Sequence, residues 1–305
     1  MQPDVLAFDF DGVICDGLIE YFQTAWRAYC KLFKPENLEP PAGLAEKFYP
    51  LRPVIETGWE MPMLLRALIA GKTDAEIVAG WPEMALPFLD EANLERSEAA
   101  KILDGERDRW IATDLDNWLA QHRFYPNMLA VLQNSLEKRP TYIVSTKEGR
   151  FIQQLLKQSG VAMPPDKILG KEVKRPKYET LRLLTARHMV QEGAGKKAKD
   201  SPGPPFGNNP DIPSRHTGVS PILGDFEVGS PQDWGARGAW TPSIWFIEDR
   251  IKALQGVKKQ PDLGHVELFL ADWGYNLEPE RQAAQEDDRI HLLSLNSVVQ
   301  KFEAA

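Results

Sequence analysis

Two acidic residues directly follow a short apolar segment near the start of the chain. Residues 5–8 are apolar, Asp9 and Asp11 come next, and Gly12 follows them. A carboxylate is costly to bury unless a partner is present, and two neighbouring carboxylates raise each other's pKa unless a cation lies between them. The stretch therefore predicts a site that binds a cation. The alternative is an acidic turn without a ligand, since Asp and Gly are common turn residues.

Polar side chains also follow two later apolar segments. Ser145 comes after the segment TYIV, and Glu248 and Asp249 end the segment SIWFIED. If these segments are parallel strands in one sheet with residues 5–8, their carboxyl ends meet at the edge where ligands bind in such sheets. We therefore expect these three side chains to lie near Asp9. Taken alone, a Ser at this position is more often the N-cap of the next helix, and Thr146 is the neighbouring candidate.

The elements that would position these residues form an alternating pattern. Short apolar segments and amphipathic helical segments alternate from about residue 126 to the end of the chain. The segments that resemble strands are residues 4–14, TYIVST, KILGKEV, SIWFIED, VELFLAD and IHLLSL. This pattern predicts an α/β core with a Rossmann-like parallel sheet that is covered by helices on both faces.

A helical region interrupts this core after its first strand. From Leu18 to about His122, apolar and aromatic residues recur at helical spacing, Pro and Gly separate the pieces, and no strand pattern is present. The region contains five of the nine Trp residues, which we interpret as core packing. The sequence therefore predicts an all-helical cap over residues 16–123, inserted into a core that comprises residues 1–15 and 124–305.

One segment of the core has neither helical nor strand periodicity. Residues 193–243 are rich in Gly, Pro, Ser and Asn. Long segments of this kind are usually lids or disordered loops, so we predict a surface loop here. The segment contains the pair Gly224-Asp225, which is a second candidate for an acidic strand end. Its apolar lead is short and no helical pattern follows it, so we prefer Glu248 and Asp249.

The composition excludes several classes of protein. A formal charge of −8 and a pI near 5.3 argue against a nucleic-acid partner, which would require clustered Lys and Arg. The two cysteines, Cys15 and Cys30, form no CxxC pair, so a disulfide framework or zinc site is not expected. No apolar run reaches the roughly 18 residues of a membrane span. The first apolar run has no basic segment before it and does not resemble a signal peptide. We expect a cytoplasmic protein without a membrane partner.

Four motifs in order, with a helical region after the first, resemble those of the haloacid dehalogenase-like hydrolases. The closest resemblance is to the phosphatases of this superfamily that carry an all-helical cap. The motifs are Asp9-Phe10-Asp11-Gly12, Ser145 in YIVST, a Lys in KEVKRPKYETL, and Glu248-Asp249 in WFIEDR. Lys177 begins the predicted helix and is the preferred motif lysine. Lys174, or the pair Arg175-Pro176, is the alternative. The resemblance covers nearly the whole chain.

The resemblance implies a role for each motif. Asp9 would be the nucleophile that takes the phosphoryl group as an aspartyl-phosphate. Asp11 would protonate the leaving alcohol and then take a proton from the hydrolytic water. Ser145 and Lys177 would bind the phosphoryl oxygens. The metal site would consist of Asp9, Asp11 through its backbone carbonyl, Asp249 and Glu248, with Mg²⁺ as the cofactor that relieves the repulsion between the acids.

A cap of this kind also implies substrate contacts. It would exclude water from the site and contact the leaving group. Arg52, Glu56 and Glu60 would share one face if residues 53–61 are helical, and they are candidates for such contacts. A solvated helix face is the alternative interpretation of these three residues.

The resulting prediction is a magnesium-dependent phosphatase that acts on a small phosphorylated metabolite, such as phosphoglycolate or a sugar phosphate. A phosphomutase of the same superfamily is one alternative, because its first step is the same. A non-catalytic protein that keeps the fold is another, since Thr146 and Asn127 depart from the usual family pattern of Asn and Gly. The presence of Asp11 argues against a dehalogenase, which needs no acid for its leaving group, and no GxxxxGK motif supports a P-loop NTPase.

Overall fold

Six parallel strands form the central sheet in the part of the chain that the structure describes. The computed structural model describes residues 2–199 and 240–303. The strands of the sheet are β1 (Val5–Phe8), β4 (Thr141–Val144), β5 (Ile168–Leu169), β6 (Ile244–Glu248), β7 (Val266–Ala271) and β8 (Ile290–Leu293). They lie in the order β5-β4-β1-β6-β7-β8, and every pairing is parallel. Each strand falls within a segment that the sequence predicted as a strand.

The central strands are apolar throughout because both faces of the sheet are covered. All residues of β1, β4 and β6 are buried, as is typical of parallel strands with helices on both sides. Side chains alternate between the two faces. Leu6 and Phe8 pack into one apolar cluster, while Val5 and Ala7 pack into the other.

Three of the described helices lie on each face of the sheet. On one face lie α8 (Met128–Lys138), α9 (Gly149–Gln158) and α13 (Leu295–Glu303), and on the other lie α10 (Lys177–Lys199), α11 (Ile251–Lys258) and α12 (Glu278–Glu286). The predicted α/β fold with a Rossmann-like parallel sheet is therefore confirmed. In the part of the chain that the structure describes, no helix is both long and apolar enough to cross a membrane.

Seven helices occupy residues 18–120, between β1 and α8. They are α1 (Leu18–Phe33), α2 (Leu44–Leu51), α3 (Glu60–Ile69), α4 (Asp74–Gly80), α5 (Ala85–Glu91), α6 (Arg96–Thr113) and α7 (Leu115–Ala120). Most of them pack around two further apolar clusters, which include Trp26 and Trp59. Trp110 of α6 and Trp118 of α7 instead pack into the cluster on one face of the sheet. The helical character of this insertion agrees with the sequence, and the cap bounds at residues 16 and 123 stay a prediction.

A small second sheet joins the two ends of the helical insertion. Strands β2 (Cys15–Asp16) and β3 (Arg123–Phe124) pair antiparallel, with Cys15 opposite Phe124. Sequence reasoning missed this sheet, because a strand of two residues has no periodicity to detect. The pairing places the end of the helical insertion next to its start, at the border with the core.

Two expectations about local structure need correction. Residues 53–61 are not one helix, since a 3₁₀ turn covers Arg52–Val54, Ile55 is extended, and α3 starts at Glu60. Helix α10 continues to Lys199, so residues 193–199 of the predicted loop are helical. Residues 200–239 of that predicted loop, including the pair Gly224-Asp225, lie outside the described residues.

Candidate active site

The predicted site residues meet at the carboxyl edge of the central sheet. Asp9 follows β1, Ser145 follows β4, and Glu248 and Asp249 stand at the end of β6. Strand β1 lies between β4 and β6, and the backbone N–H of Asp9 donates to the carbonyl of Ile247 at 2.8 Å. All four side chains are buried. The order of the strands thus brings together residues that are more than 230 positions apart in the sequence.

Three of these acids form a cluster that could hold a metal ion. One carboxylate oxygen from each of Asp9, Glu248 and Asp249 lies within 4.8 Å of the other two. Asp249 is held in place because its Oδ2 accepts a hydrogen bond from the backbone N–H of Tyr275 at 2.8 Å. Carboxylate oxygens are the ligands that Mg²⁺ prefers. The donor set and the spacing therefore fit a hard divalent cation.

Lys177 makes direct ion pairs with two acids of this cluster. Its Nζ lies 2.8 Å from Oδ2 of Asp9 and 2.5 Å from Oε2 of Glu248. Burial alone would lower the pKa of Lys177, but the charges of Asp9 and Glu248 raise it above its ordinary value. Lys174, the alternative motif lysine, is exposed and lies in the turn before α10. The geometry favours Lys177 over Lys174 as the lysine of this site.

The acids of the cluster have strongly raised pKa values. Burial raises the pKa of Asp9 to about 7, with Lys177 lowering it and Glu248 raising it. Burial likewise raises the pKa of Glu248 to about 7. The pKa of Asp249 rises to about 6 through burial and the charge of Asp9. The carboxylates raise one another's pKa, and a divalent cation bound among them would allow them to ionise together.

Ser145 lies beside Asp9 rather than at the start of a helix. Its hydroxyl makes a hydrogen bond to the Asp9 carboxyl that lowers the pKa of Asp9. Helix α9 starts at Gly149 with Glu148 as its N-cap, so Ser145 is not the N-cap of the next helix. Thr146, the neighbouring candidate, is exposed.

Asp11 lies apart from the acidic cluster and pairs with a different lysine. Its Oδ1 is 3.1 Å from Nζ of Lys147, and the same Nζ is 3.2 Å from Nε2 of His122. Nδ1 of His122 is 3.1 Å from the carbonyl oxygen of Trp118, so it must be the nitrogen that donates. Burial and the charge of Lys147 lower the pKa of His122 to about 4. The neutral ring therefore accepts a hydrogen bond from Lys147 through Nε2.

Sequence reasoning missed Lys147 and His122. Lys147 is two residues beyond Ser145, at the same edge of the sheet. This position is the feature of the sequence that could have identified Lys147 as a site residue. His122 ends the helical insertion just before β3, where a lone histidine has no motif around it. Lys147 contacts both His122, at the end of the helical insertion, and Asp11.

Gly12 is required by the close approach of Asp249. It has a φ of +80°, a conformation that residues with a side chain rarely adopt. A Cβ atom at this position would also overlap the Asp249 carboxylate and would lie 3.1 Å from Cδ2 of Tyr275. The glycine of the Asp-Phe-Asp-Gly turn therefore allows the first and last motifs to touch.

The helical insertion contributes aromatic and charged side chains next to this turn. The guanidinium of Arg52 lies 4.6 Å from the ring centre of Tyr21 and 5.0 Å from that of Tyr275. Glu60 instead accepts hydrogen bonds from the backbone N–H groups of residues 56 and 57, and Glu56 is exposed. Of the three residues expected to share a helix face, only Arg52 lies over these two rings.

Comparisons with known proteins show similarity in structure and not in sequence. No protein-family model matches this chain, and no curated protein matches it. Solved structures do match over nearly the full length. A candidate phosphatase from Clostridium difficile has a TM-score of 0.50 at 12% identity, with 99% of each chain covered.

Two further solved structures have the same architecture. A predicted phosphoglycolate phosphatase from Haemophilus somnus has a TM-score of 0.51 at 14% identity, covering 99% of this chain and 98% of its own. A candidate phosphoglycolate phosphatase from Lactobacillus delbrueckii subsp. bulgaricus has a TM-score of 0.50 at 13% identity, covering 100% of this chain and 98% of its own. At these identities the similarity is one of fold.

Proposed function

We propose that this chain, which has the haloacid dehalogenase-like fold, is a magnesium-dependent phosphatase that hydrolyses a small phosphorylated metabolite through an aspartyl-phosphate. The observation that carries the proposal is the buried cluster of Asp9, Glu248 and Asp249, whose oxygens lie within 4.8 Å of one another, with Lys177 bonded to Asp9. A strand-end carboxylate beside a fixed cation and a metal site is suited to attack a phosphoryl group.

Asp9, Asp249 and Glu248, with the backbone carbonyl of Asp11, would hold the metal. When bound, Mg²⁺ supplies positive charge that neutralises the phosphoryl oxygens and lets the acids of the cluster ionise together. Lys177 and the Ser145 hydroxyl would bind the remaining phosphoryl oxygens. Because these groups are buried, their interactions with charge are stronger than in water.

In the first step, a carboxylate oxygen of Asp9 attacks the phosphorus atom and the bond from phosphorus to the ester oxygen breaks. Asp11 gives its proton to that oxygen, so the product leaves as a neutral alcohol. Lys147, 3.1 Å from Asp11, orients the carboxyl group. Covalent catalysis of this kind divides one difficult displacement into two easier ones.

In the second step, a water molecule attacks the phosphorus atom of the aspartyl-phosphate. Asp11, now a carboxylate, takes a proton from the water, and the bond between phosphorus and the Asp9 oxygen breaks. Inorganic phosphate leaves and Asp9 is restored. The phosphoryl group thus passes to water, whereas in a mutase it would return to a sugar.

The proposal is tested with the full chain and a panel of phosphate monoesters that includes p-nitrophenyl phosphate. We expect inorganic phosphate to appear with Mg²⁺ and to stop when EDTA removes the metal. Sugar phosphates in the panel are also analysed for a rearranged sugar phosphate, the product expected of a mutase. Absence of phosphate release from every ester, at any Mg²⁺ concentration, would contradict the proposal and favour the non-catalytic alternative.

A further inference from the structure

Lys147 follows β4 in the core, but several of its neighbours belong to the helical insertion. Its Nζ lies 3.2 Å from Nε2 of His122. The same atom lies 5.6 Å from the ring centre of Trp118 and 6.0 Å from that of Tyr21. It also lies 3.1 Å from Oδ1 of Asp11, the acid of the proposed reaction. Residues of the insertion therefore surround the cation that contacts this acid.

His122 is suited to orient the Lys147 ammonium because its tautomer is fixed. Nδ1 lies 3.1 Å from the carbonyl oxygen of Trp118, which can only accept, so Nδ1 carries the proton and Nε2 keeps a lone pair. The ring is buried. Burial and the charge of Lys147 lower its pKa to about 4, so the ring is neutral at pH 7. Nε2 therefore accepts a hydrogen bond from Lys147.

Trp118 of α7 holds this histidine in a fixed place relative to the core. The ring of Trp118 lies 4.5 Å from that of His122 and 4.9 Å from that of Phe151 in α9. Trp118 is 1% exposed and belongs to the apolar cluster on one face of the sheet. Its Nε1 donates to Oε1 of the buried Glu20 at 3.2 Å. His122 is thus attached to a part of the insertion that packs on the core.

Glu20 provides negative charge beside this group of residues. Its side chain is buried, and Nε of Arg107 lies 2.8 Å from its Oε1. Burial alone would raise the pKa of Glu20, but the charges of Arg107 and Lys147 lower it to about 2. Glu20 is therefore ionised at neutral pH, and its charge attracts the Lys147 ammonium toward the insertion.

The direction of the Lys147 ammonium affects which oxygen of Asp11 can carry a proton. Nζ lies 3.1 Å from Oδ1 and 3.4 Å from Oδ2. An ammonium group only donates. When Asp11 is protonated, the closer oxygen, Oδ1, accepts from Lys147 and Oδ2 carries the proton. Movement of the ammonium would remove this distinction between the two oxygens.

We propose, on the basis of the phosphatase function above, that His122 is a positioning residue, which orients the Lys147 ammonium so that Asp11 presents its proton to the leaving oxygen. In the proton transfer, Asp11 gives its proton to the ester oxygen, while Lys147 and His122 keep their own protons. Because both contacts are present without substrate, the acid is oriented before the substrate binds. The last helix of the insertion, α7, thus takes part in catalysis through His122.

The alternative is that His122 only packs against Trp118. The test measures kcat/KM of the full chain with Mg²⁺ on two esters. Ethyl phosphate needs a proton on its leaving oxygen, whereas the nitrophenolate of p-nitrophenyl phosphate leaves without one. Because kcat/KM includes the steps only up to release of the alcohol, it excludes the later step in which Asp11 acts on water. The ratio of the two values therefore reports on the acid.

His122→Asn and His122→Phe remove the acceptor in two ways. Asn keeps a donor for the carbonyl of Trp118 but is too short to reach Lys147, and Phe keeps a ring beside Trp118. For both variants we expect kcat/KM on ethyl phosphate to fall about 10- to 100-fold and that on p-nitrophenyl phosphate to stay within a few-fold, since a hydrogen bond to a charged group contributes about one to two factors of ten. His122→Gln places an amide oxygen near the position of Nε2 and should restore most of the loss.

His188→Phe is the matched control. His188 is also buried, its ring lies 5.8 Å from that of Tyr142, and its Nε2 lies 3.0 Å from the Tyr142 hydroxyl. Tyr142 belongs to the apolar cluster on the opposite face of the sheet. The control thus loses a comparable buried hydrogen bond away from Asp11. We expect it to keep the ratio of the unchanged protein.

A double variant tests whether His122 acts through Asp11. The variant Asp11→Asn/His122→Asn should be no slower on ethyl phosphate than Asp11→Asn alone, because no acid remains to be oriented. If the two losses multiply instead, His122 acts independently of Asp11 and the inference is overturned.

The remaining outcomes separate this inference from the proposed function. If neither ester releases phosphate with the unchanged chain, the proposed function fails. If His122→Asn and His122→Phe slow both esters equally, or slow neither, the inference fails while the function stands. A His122→Gln variant as slow as His122→Asn would also overturn it. Should one of the two acceptor-free variants not fold, the other gives the same comparison.

Discussion

Lys177 and Asp9 form a direct ion pair, 2.8 Å between Nζ and Oδ2, although one begins a helix and the other ends a strand 168 positions earlier. The pair fixes the proposed nucleophile beside a positive charge. The same Nζ also bonds to Glu248, so one lysine joins the ends of β1 (Val5–Phe8) and β6 (Ile244–Glu248). Replacing the lysine should affect phosphate binding and the ionisation of Asp9 together.

Lys177→Gln is expected to lower kcat/KM on p-nitrophenyl phosphate by about a hundredfold or more, because a charge that binds the phosphoryl group is lost. The control is Lys174→Gln, three residues earlier, where the side chain is exposed. Steady-state kinetics on both variants provides the measurement. A larger loss in the Lys174 variant would reverse the assignment of the motif lysine.

Asp11→Asn is expected to discriminate between leaving groups. Ethyl phosphate needs a proton on its leaving oxygen, so its phosphorylation step should slow by about 10² to 10⁴. The nitrophenolate group leaves without a proton, so the first release of nitrophenol in rapid-mixing experiments should change far less. Mg²⁺ affinity should stay nearly the same, because the expected metal contact is a backbone carbonyl. Loss of Mg²⁺ binding in calorimetry would contradict this role.

Gly12→Ala is expected to be far more harmful than Gly43→Ala. Both glycines have φ near +80°, at +80° and +76°, so the backbone strain is similar. Only at Gly12 would the new methyl group overlap the Asp249 carboxylate, while nothing lies within 4 Å at Gly43. Gly43→Ala should cost about 1 kcal/mol of unfolding free energy, and Gly12→Ala should also weaken Mg²⁺ binding. Denaturant titrations measure the unfolding free energy and calorimetry measures Mg²⁺ binding. Equal effects of the two substitutions on both quantities would contradict the steric argument.

The raised pKa values of the acids predict a pH-dependent response to metal. Asp9 and Glu248 have pKa values near 7 in the fold against ordinary values of 3.8 and 4.5. Without metal, the folded state keeps protons that the unfolded state releases as the pH rises from about 4 to 7. The contribution of these two acids to metal-free stability should therefore fall through this range.

Added Mg²⁺ competes with those protons, so its stabilising effect should be greater at pH 8 than at pH 5.5. At a concentration of 100 times Kd the gain is about 2.7 kcal/mol, which corresponds to several degrees in Tm. Thermal unfolding with EDTA and with Mg²⁺ at the two pH values tests this. A larger shift at pH 5.5 would show that the cluster is not the metal site.

The sequence predicted the parallel sheet and the convergence of the acids because both follow from strong local signals. Continuous apolar segments marked the strands, and the acids followed them directly. The ion pair of Lys147 and Asp11 was missed, since Lys147 belongs to no motif and its partner is 136 positions away. The position of Arg52 over two rings depends on a 3₁₀ turn and an extended residue where the spacing suggested a helix.

The most direct test of the account compares three proteins in one assay of p-nitrophenyl phosphate hydrolysis with Mg²⁺. These are the unchanged chain, Asp9→Asn, and the control Asp272→Asn, which alters an acid at the same edge of the sheet after β7 (Val266–Ala271) but outside the cluster. We predict that Asp9→Asn loses about a thousandfold or more in kcat, while Asp272→Asn stays within a few-fold of the unchanged chain. Equal turnover by the unchanged chain and Asp9→Asn would contradict the role of Asp9 as nucleophile.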